Sequence, residues 1–338
     1  MSRRTRIGKI ANFAIIMAMR IHVLALNNVF DTGLATVLDT FSTANELATM
    51  TGISSLRFDV QIAGFRKTTA TAQGLRLQTR HPSELNAPDC VIVPAIAYKT
   101  PGPLVEALAQ RDVRESTGVL KSWARSGSLM TAACIGTFIL AESSLLDAED
   151  ATTTWWLAPL FRQRYPKVRL DESRILIHSR RTITAGAALS HLDLALSIIS
   201  RASPELAELT AKYLVVDSRS SQSIYTIPNH LASADPVVGR FERWARQRLS
   251  RGFSLGEAAS ALKTSKRTLA RRMNQVLGKS PLTFVQDLRV ERAVHLLKTT
   301  KASVDQIATQ VGYIDGVTLR TLLRRRLGRG VRELRQRP

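Results

Sequence analysis

The sequence predicts two domains of different class: a doubly wound α/β sheet in the first two thirds and an all-α domain in the last third. Three observations predict this. Short apolar runs alternate with helical periodicity over the first two hundred or so residues, the pattern of parallel strands joined by crossover helices. A polar, serine-rich stretch beginning at Asp217 then interrupts the periodicity up to Ala234-Asp-Pro236. Beyond it, a unit of short helix, tight turn and basic helix occurs twice.

Taken in order, Ile21–Leu26 is a continuous apolar run suited to a strand buried on both faces. Residues 34–50 place Leu34, Val37, Leu38, Phe41 and Leu47 at helical spacing. Phe58–Ala63, Cys90–Pro94 and Leu129–Ala133 read as further strands, with a helix over Leu104–Ala124 and another over Gly136–Leu145. Ile175–His178 and Thr182–Ala185 are expected to pair antiparallel, and Leu189–Ser200 and Pro204–Leu214 close a flavodoxin-like sheet domain as helices. The domain expectation is therefore a disordered basic extension at 1–19, the α/β domain at 20–216, a linker at 217–235 and the helical domain at 236–338.

Charge follows these boundaries. The chain has a net charge of +21, with 23 Lys and Arg against 7 Asp and Glu from Pro236 onward, and 25 against 20 before it. A basic surface of this kind suits a polyanion, because each neutralised phosphate releases counterions; a solvated basic face is the plain alternative. Two cysteines, Cys90 and Cys134, provide neither a disulfide framework nor a Cys-rich metal site, which fits a reducing cytoplasm. No apolar run is long enough to cross a bilayer. The start, basic up to Lys9 and apolar over Phe13–Met19, imitates a signal peptide but lacks a small-residue cleavage site before Arg20. It reads as a basic tail, or as a start placed upstream of a true first residue at Met19.

The two repeated units run Ser254–Gly278 and Ser303–Gly328. In the first, Ser265 is an N-cap, without a capping box because Thr268 stands three residues on. Leu269, Met273 and Val276 share an inward face. Arg267, Arg271 and Asn274 share another, where Arg binds guanine and Asn binds adenine bidentately in the major groove. Lys266 and Arg272 flank that face for phosphates, and Ser265 and Thr268 complete the expected DNA-contacting set. In the second unit Leu319, Leu322, Leu323 and Leu327 form the core. Ile314, Asp315, Gly316 and Val317 lead its basic helix and are poor base readers. Thr318, Arg320, Arg324 and Arg325, with Arg326 beside them, are expected to grip the backbone. Pro281–Leu297 is a long helix joining the units.

Residues 236–338 thus resemble the AraC-type DNA-binding domain. The resemblance rests on Ser265, Leu269, Arg271, Gly278, Pro281, Arg289, Ala293, Leu297, Val304, Ile307, Ala308, Gly312 and Gly328. Departures cluster in the second motif: Tyr313 and Leu319 replace the usual phenylalanines, Thr321 a common arginine and Gly330 a usual proline.

In the α/β domain Cys134 follows a strand and precedes Ile135-Gly136 and a helix, a strand–nucleophile–helix elbow. This segment, with Ala151-Thr-Thr-Thr-Trp155, Tyr165-Pro166 and Thr184-Ala-Gly186, resembles the class I glutamine amidotransferase-like (PfpI-like) domain. Its pairing with an AraC-type tail is similar to the GlxA family of transcriptional regulators. A thiol hydrolase needs a base beside its thiol. The family's histidine position holds Thr154, and the acidic residue expected after the first strand is missing from Asn27-Asn28-Val29, with Asp31 slightly beyond. His178 and His191 remain as candidate bases. The resemblance therefore implies a non-catalytic sensor, without cofactor or metal, binding a small nitrogen-containing metabolite near Ala95, Ile96, Cys134, Ile135 and Thr154. It also implies homodimerisation through the α/β domain and activation at a double-stranded promoter operator. Trp155 and Trp156 offer either an aromatic wall for a cationic ligand or core packing. A thiol-dependent amidase or protease using Cys134, and an architectural DNA-binding protein, are the alternatives.

Overall fold

A computed structural model of the protein describes residues 18–217, 222, 235–328 and 330–335. The 1–19 extension lies outside these residues except for Ala18 and Met19, which open the first strand, and of the 217–235 linker only Asp217, Gln222 and Asp235 are described.

The α/β domain is built from β1 (Ala18–Leu24), α1 (Asp31–Thr51), β2 (Arg57–Ala63), β3 (Thr68–Ala70), β4 (Arg76–Gln78), β5 (Cys90–Val93), α2 (Pro101–Leu108), α3 (Arg111–Arg125), β6 (Leu129–Ala133), α4 (Gly136–Glu142), β7 (Asp150–Ala151), α5 (Ala158–Arg164), β8 (Arg169–Leu170), β9 (Leu176–Ser179), β10 (Thr182–Ala185), α6 (Ser190–Ala202) and α7 (Pro204–Tyr213). The main sheet has the order β2-β1-β5-β6-β10-β9. It is parallel except for β9, which pairs antiparallel with β10, with His178 opposite Ile183. Without β9, this is the strand order of the flavodoxin-like doubly wound sheet. Both faces are covered. Phe41, Val37, Leu194 and Ile198 of α1 and α6 pack on one side, and Leu104, Leu120, Phe138 and Ile139 of α2, α3 and α4 on the other. The expected strands therefore read as unbroken apolar runs because neither face meets water.

Several expectations change in detail. The helix expected over Leu104–Ala124 is two helices, broken where Gln110 takes an extended backbone as the N-cap of α3. Asp112, in the first turn of α3, accepts the Asn27 N–H at 2.9 Å, so the break lets α3 start against the turn after β1. The helix expected over Gly136–Leu145 stops at Glu142. The β3–β4 hairpin, the β7–β8 pair and α5 lacked a readable signal because each is short.

The helical domain comprises α8 (Pro236–Arg246), α9 (Leu255–Ala261), α10 (Lys266–Leu277), α11 (Pro281–Thr299), α12 (Val304–Gln310), α13 (Gly316–Leu327) and α14 (Val331–Arg335). Caps punctuate it. Asp235, Ser254, Ser265, Ser280, Ser303 and Asp315 each accept a backbone N–H of the helix they open, and Ser303 with Gln306 forms a full capping box. Such caps contribute about 1 kcal/mol each. Gly278 and Gly328 close α10 and α13 in the left-handed conformation, at φ 61° and 68°. Two small cores result: Phe241, Leu269, Met273 and Leu288 in the first half, and Ala293, Ile307, Leu319 and Leu323 in the second.

Candidate nucleic-acid interface and effector site

Helices α9 and α10 form the first helix-turn-helix, with α10 standing on buried Leu269, Met273 and Leu277. That seating leaves Lys266, Arg267, Arg271 and Asn274 exposed, with the expected reading residues Arg267, Arg271 and Asn274 together on the outer face. Ser265 is spent on the cap: its Oγ accepts the Thr268 N–H at 3.0 Å and lies 2.9 Å from Thr268 Oγ1. Arg272, expected to meet phosphate, instead pairs with Asp235 at 2.5 Å. The same carboxylate caps α8 through its other oxygen, so Arg272 ties the first reading helix to the start of its own domain.

In the second unit Thr318, Arg320, Arg324 and Arg325 are exposed along α13. Arg326 is not part of this row: it is held by Gln286 at 3.0 Å and Asp287 at 3.3 Å on α11. Ile314 and Val317 are exposed at the tip, at 97 % and 67 %. The two units are locked by Arg289, which lies in the connecting helix and is one of the residues that carry the resemblance, with no contact assigned to it from the sequence. Its buried guanidinium donates to Leu249 O at 3.1 Å and Arg251 O at 2.5 Å and lies over the Tyr313 ring. Gly312, at φ 84°, makes room for it: a Cβ there would stand 2.2 Å from Leu249 O. A charged buried donor needs this many acceptors, which is why both units are fixed relative to α11.

In the α/β domain Cys134 sits at the expected turn between strand and helix, and its backbone there is left-handed, at φ 56°. Gly136 allows it, since a Cβ there would overlap Val93 O at 2.0 Å. The elbow brings Cys134 and Ile135 beside Ala95 and Ile96, and Thr154 faces the thiol. The five expected ligand residues are thus together, but all are 3 % exposed or less. Burial pushes the Cys134 thiol up to about 12. Thr154 Oγ1, at the position where the resemblance places a histidine, is buried, with only the Cys134 thiol facing it among the described residues. His191 is committed elsewhere. Its Nδ1–H donates to Ala188 O at 2.6 Å, so Nε2 accepts the Ala95 N–H at 3.2 Å, and burial lowers its pKa to about 4. Gly33 leaves the space for its ring. His178 is exposed on β9 and meets Ser197 at 3.3 Å. A cavity of about 290 Å³ opens at the C-terminal ends of β1 and β2 instead, lined by Leu26, Asn27, Arg66, Thr69, Arg111 and Asp112. Among the described residues no cluster of His, Cys, Asp or Glu could hold a metal ion, and no helix is long and apolar enough to cross a membrane.

The two domains meet along α5 and α10. Trp155 is 8 % exposed and joins the core of the first helix-turn-helix with Val238, Phe241 and Ala245; Trp156 and Ala187 pack at its edge. Arg162 of α5 pairs with Glu172 and lies against Gly278 at the end of α10. Of the two expectations for the tryptophans, core packing holds, but the core belongs to the other domain.

Fold and site together define a doubly wound α/β domain of flavodoxin-like strand order fused to a helical domain that carries two helix-turn-helix units. The sequence model of a helix-turn-helix domain matches residues 258–337. The chain is 31 % identical over 201 residues, 58 % of its length and 61 % of the relative's, to the HTH-type transcriptional regulator ArgR of Pseudomonas aeruginosa. It is 27 % identical over 210 residues, 61 % of its length and 57 % of the relative's, to the HTH-type transcriptional regulator GbdR of the same species. It spans about three fifths of the length of these curated relatives. A THiJ/PfpI family protein from Pseudomonas syringae superposes with a TM-score of 0.51 at 19 % identity, over 69 % of this chain and 90 % of that one, a likeness of fold.

Proposed function

We propose that this protein is a sequence-specific, DNA-binding transcriptional regulator, an activator, whose α/β domain senses a small nitrogen-containing metabolite and pairs the chain as a homodimer in the cytoplasm. The carrying observation is the outer face of α10, where Arg267, Arg271 and Asn274 stand exposed on a capped helix braced by α9. That is the geometry of major-groove reading. Exposed Arg320, Arg324 and Arg325 on α13 supply backbone grip. The relatives' names as transcriptional regulators support the same reading.

The α/β domain is read as non-catalytic. A nucleophilic thiol requires a depressed pKa and a base, whereas Cys134 is buried and raised, Thr154 replaces the base, and both ring nitrogens of His191 are engaged. Ala95, Ile96, Cys134, Ile135 and Thr154 form the closed floor of the sensor site. Thr154 precedes Trp155, so a change at the floor reaches the DNA-binding core across a single peptide link.

Fluorescence anisotropy on DNA from upstream of this gene and its neighbours, against scrambled DNA over a salt series, tests the proposal. Selective binding that weakens by about 1–3 kcal/mol in Arg271→Ala is expected. Equal binding to both DNAs, together with selection from random sequence that enriches no site, would overturn it.

A further inference from the structure

The stretch expected to be a polar, serine-rich linker contains Gln222, which is 1 % exposed. Burying a carboxamide is unfavourable unless its two N–H groups and its oxygen all find partners. Here they do. Gln222 Nε2 donates to Thr153 O at 3.0 Å and Arg174 O at 3.2 Å, with Thr152 Oγ1 at 3.4 Å. Oε1 accepts the Ala187 N–H at 2.9 Å, and the Gln222 N–H donates to Ser173 O at 2.9 Å. Gly186 supplies the room: a Cβ there would come within 2.5 Å of Nε2.

The polarity of this slot is fixed by main chain. Two carbonyl oxygens face the nitrogen and one N–H faces the oxygen, so a carboxylate would set an acceptor oxygen against two acceptor oxygens. The slot also sits at the junction of every part the proposed mechanism uses. Thr153 Oγ1 donates to Cys134 O at 2.7 Å, and Cys134 N–H donates to Ala185 O at 3.0 Å, one residue from Gly186. Ala187, which holds Oε1, packs against the Trp155–Phe241 core.

We infer that Thr153, Arg174, Gly186 and Ala187 form a recognition slot for a primary carboxamide, occupied in this state by the linker's own Gln222, and that a small metabolite bearing a primary carboxamide displaces it. This rests on the regulator reading above and gives the effector a chemical class. The tethered Gln222 competes at high effective concentration, so a free amide binds with an apparent affinity lowered by the fraction of time the slot is open.

Propionamide, the Gln side chain as a free molecule, is the probe, with propionate as its isosteric control and no DNA present. In the full-length wild type, propionamide is expected to raise the rate of tryptic cleavage after Arg219 in the linker, and propionate to leave it unchanged. Gln222→Ala opens the slot and is expected to bind propionamide at least about tenfold more tightly than wild type by calorimetry. Adding Gly186→Ala, whose methyl fills the slot, should abolish that binding. Unchanged cleavage in wild type with propionamide, equal effects of propionate, or binding that survives the double substitution would each overturn the inference. None of these readouts depends on DNA, so their failure leaves the Arg271→Ala test of the regulator standing, and the reverse also holds.

Discussion

Cys134 combines a strained backbone with an inert thiol. A non-glycine residue at φ 56° costs on the order of 1–2 kcal/mol. It is held there by its N–H bond to Ala185 O and by Thr153 on its carbonyl. Both cysteines are pushed up to about 12 by burial. Iodoacetamide at pH 8 should therefore label the native protein at least about a hundredfold more slowly than the denatured chain; comparable rates would show that the elbow opens. His191 sets an acid limit. Its folded pKa of about 4 lies below the ordinary value of 6.5, so the unfolded state binds a proton first as pH falls. The stability it contributes is complete above pH 6.5 and is lost between 6.5 and 4, by roughly 3 kcal/mol. His22, also lowered by burial, acts in the same direction. Denaturation midpoints from pH 7 to 4.5 should fall in the wild type and fall less steeply in His191→Asn.

At the scale of elements, α10 and α13 differ in what they present. Arg271 stands beside Arg267 and Asn274 on the exposed face proposed to read bases, whereas Thr318, Arg320, Arg324 and Arg325 stand on a helix whose exposed leading residues are Ile314 and Val317. Arg271→Ala is therefore expected to lower affinity for a specific site and relax its sequence preference. Arg320→Ala and Arg324→Ala should weaken all DNAs alike and reduce the salt slope by about one each. Anisotropy over 50–300 mM salt, roughly the range where counterion release dominates, separates the two behaviours. Between the helices, Gly312 is irreplaceable. Alanine at φ 84° would be strained and would overlap Leu249 O, displacing Arg289 from its two carbonyls. A loss of about 3 kcal/mol or more is expected for Gly312→Ala in chemical denaturation.

Across the whole molecule, the α/β domain holds the first helix-turn-helix unit through Trp155, Trp156 and Arg162. Removing the indole of Trp155 takes a large apolar group out of the core of the neighbouring domain. Trp155→Ala is expected to let the domains separate, seen as an increase in radius of gyration by solution scattering and as two unfolding transitions in place of one. An unchanged scattering profile would mean that the remaining α5–α10 contacts, Trp156 and Arg162 among them, hold the domains together without Trp155.

Much of this was legible in the sequence because it is local. Apolar runs marked the parallel strands, Ser265 and Ser303 marked helix starts, Gly278 and Gly328 marked helix ends, and the spacing of Arg267, Arg271 and Asn274 placed them on one face. Caps, periodicity and charge act over one or two turns, so the chain states them directly. The carboxamide slot for Gln222, the role of Arg289, the diversion of Arg272 to Asp235 and the burial of Trp155 in the other domain join residues far apart in the chain. Nothing near Gln222 distinguishes it from its polar neighbours, and an arginine reads alike whether it meets phosphate or a carboxylate. The sequence by itself determined the two domain classes and the placing of Arg267, Arg271 and Asn274 on one exposed face of α10. Tertiary structure alone decided which polar groups are left for a partner, because hydrogen-bond satisfaction is settled only when distant segments pack together.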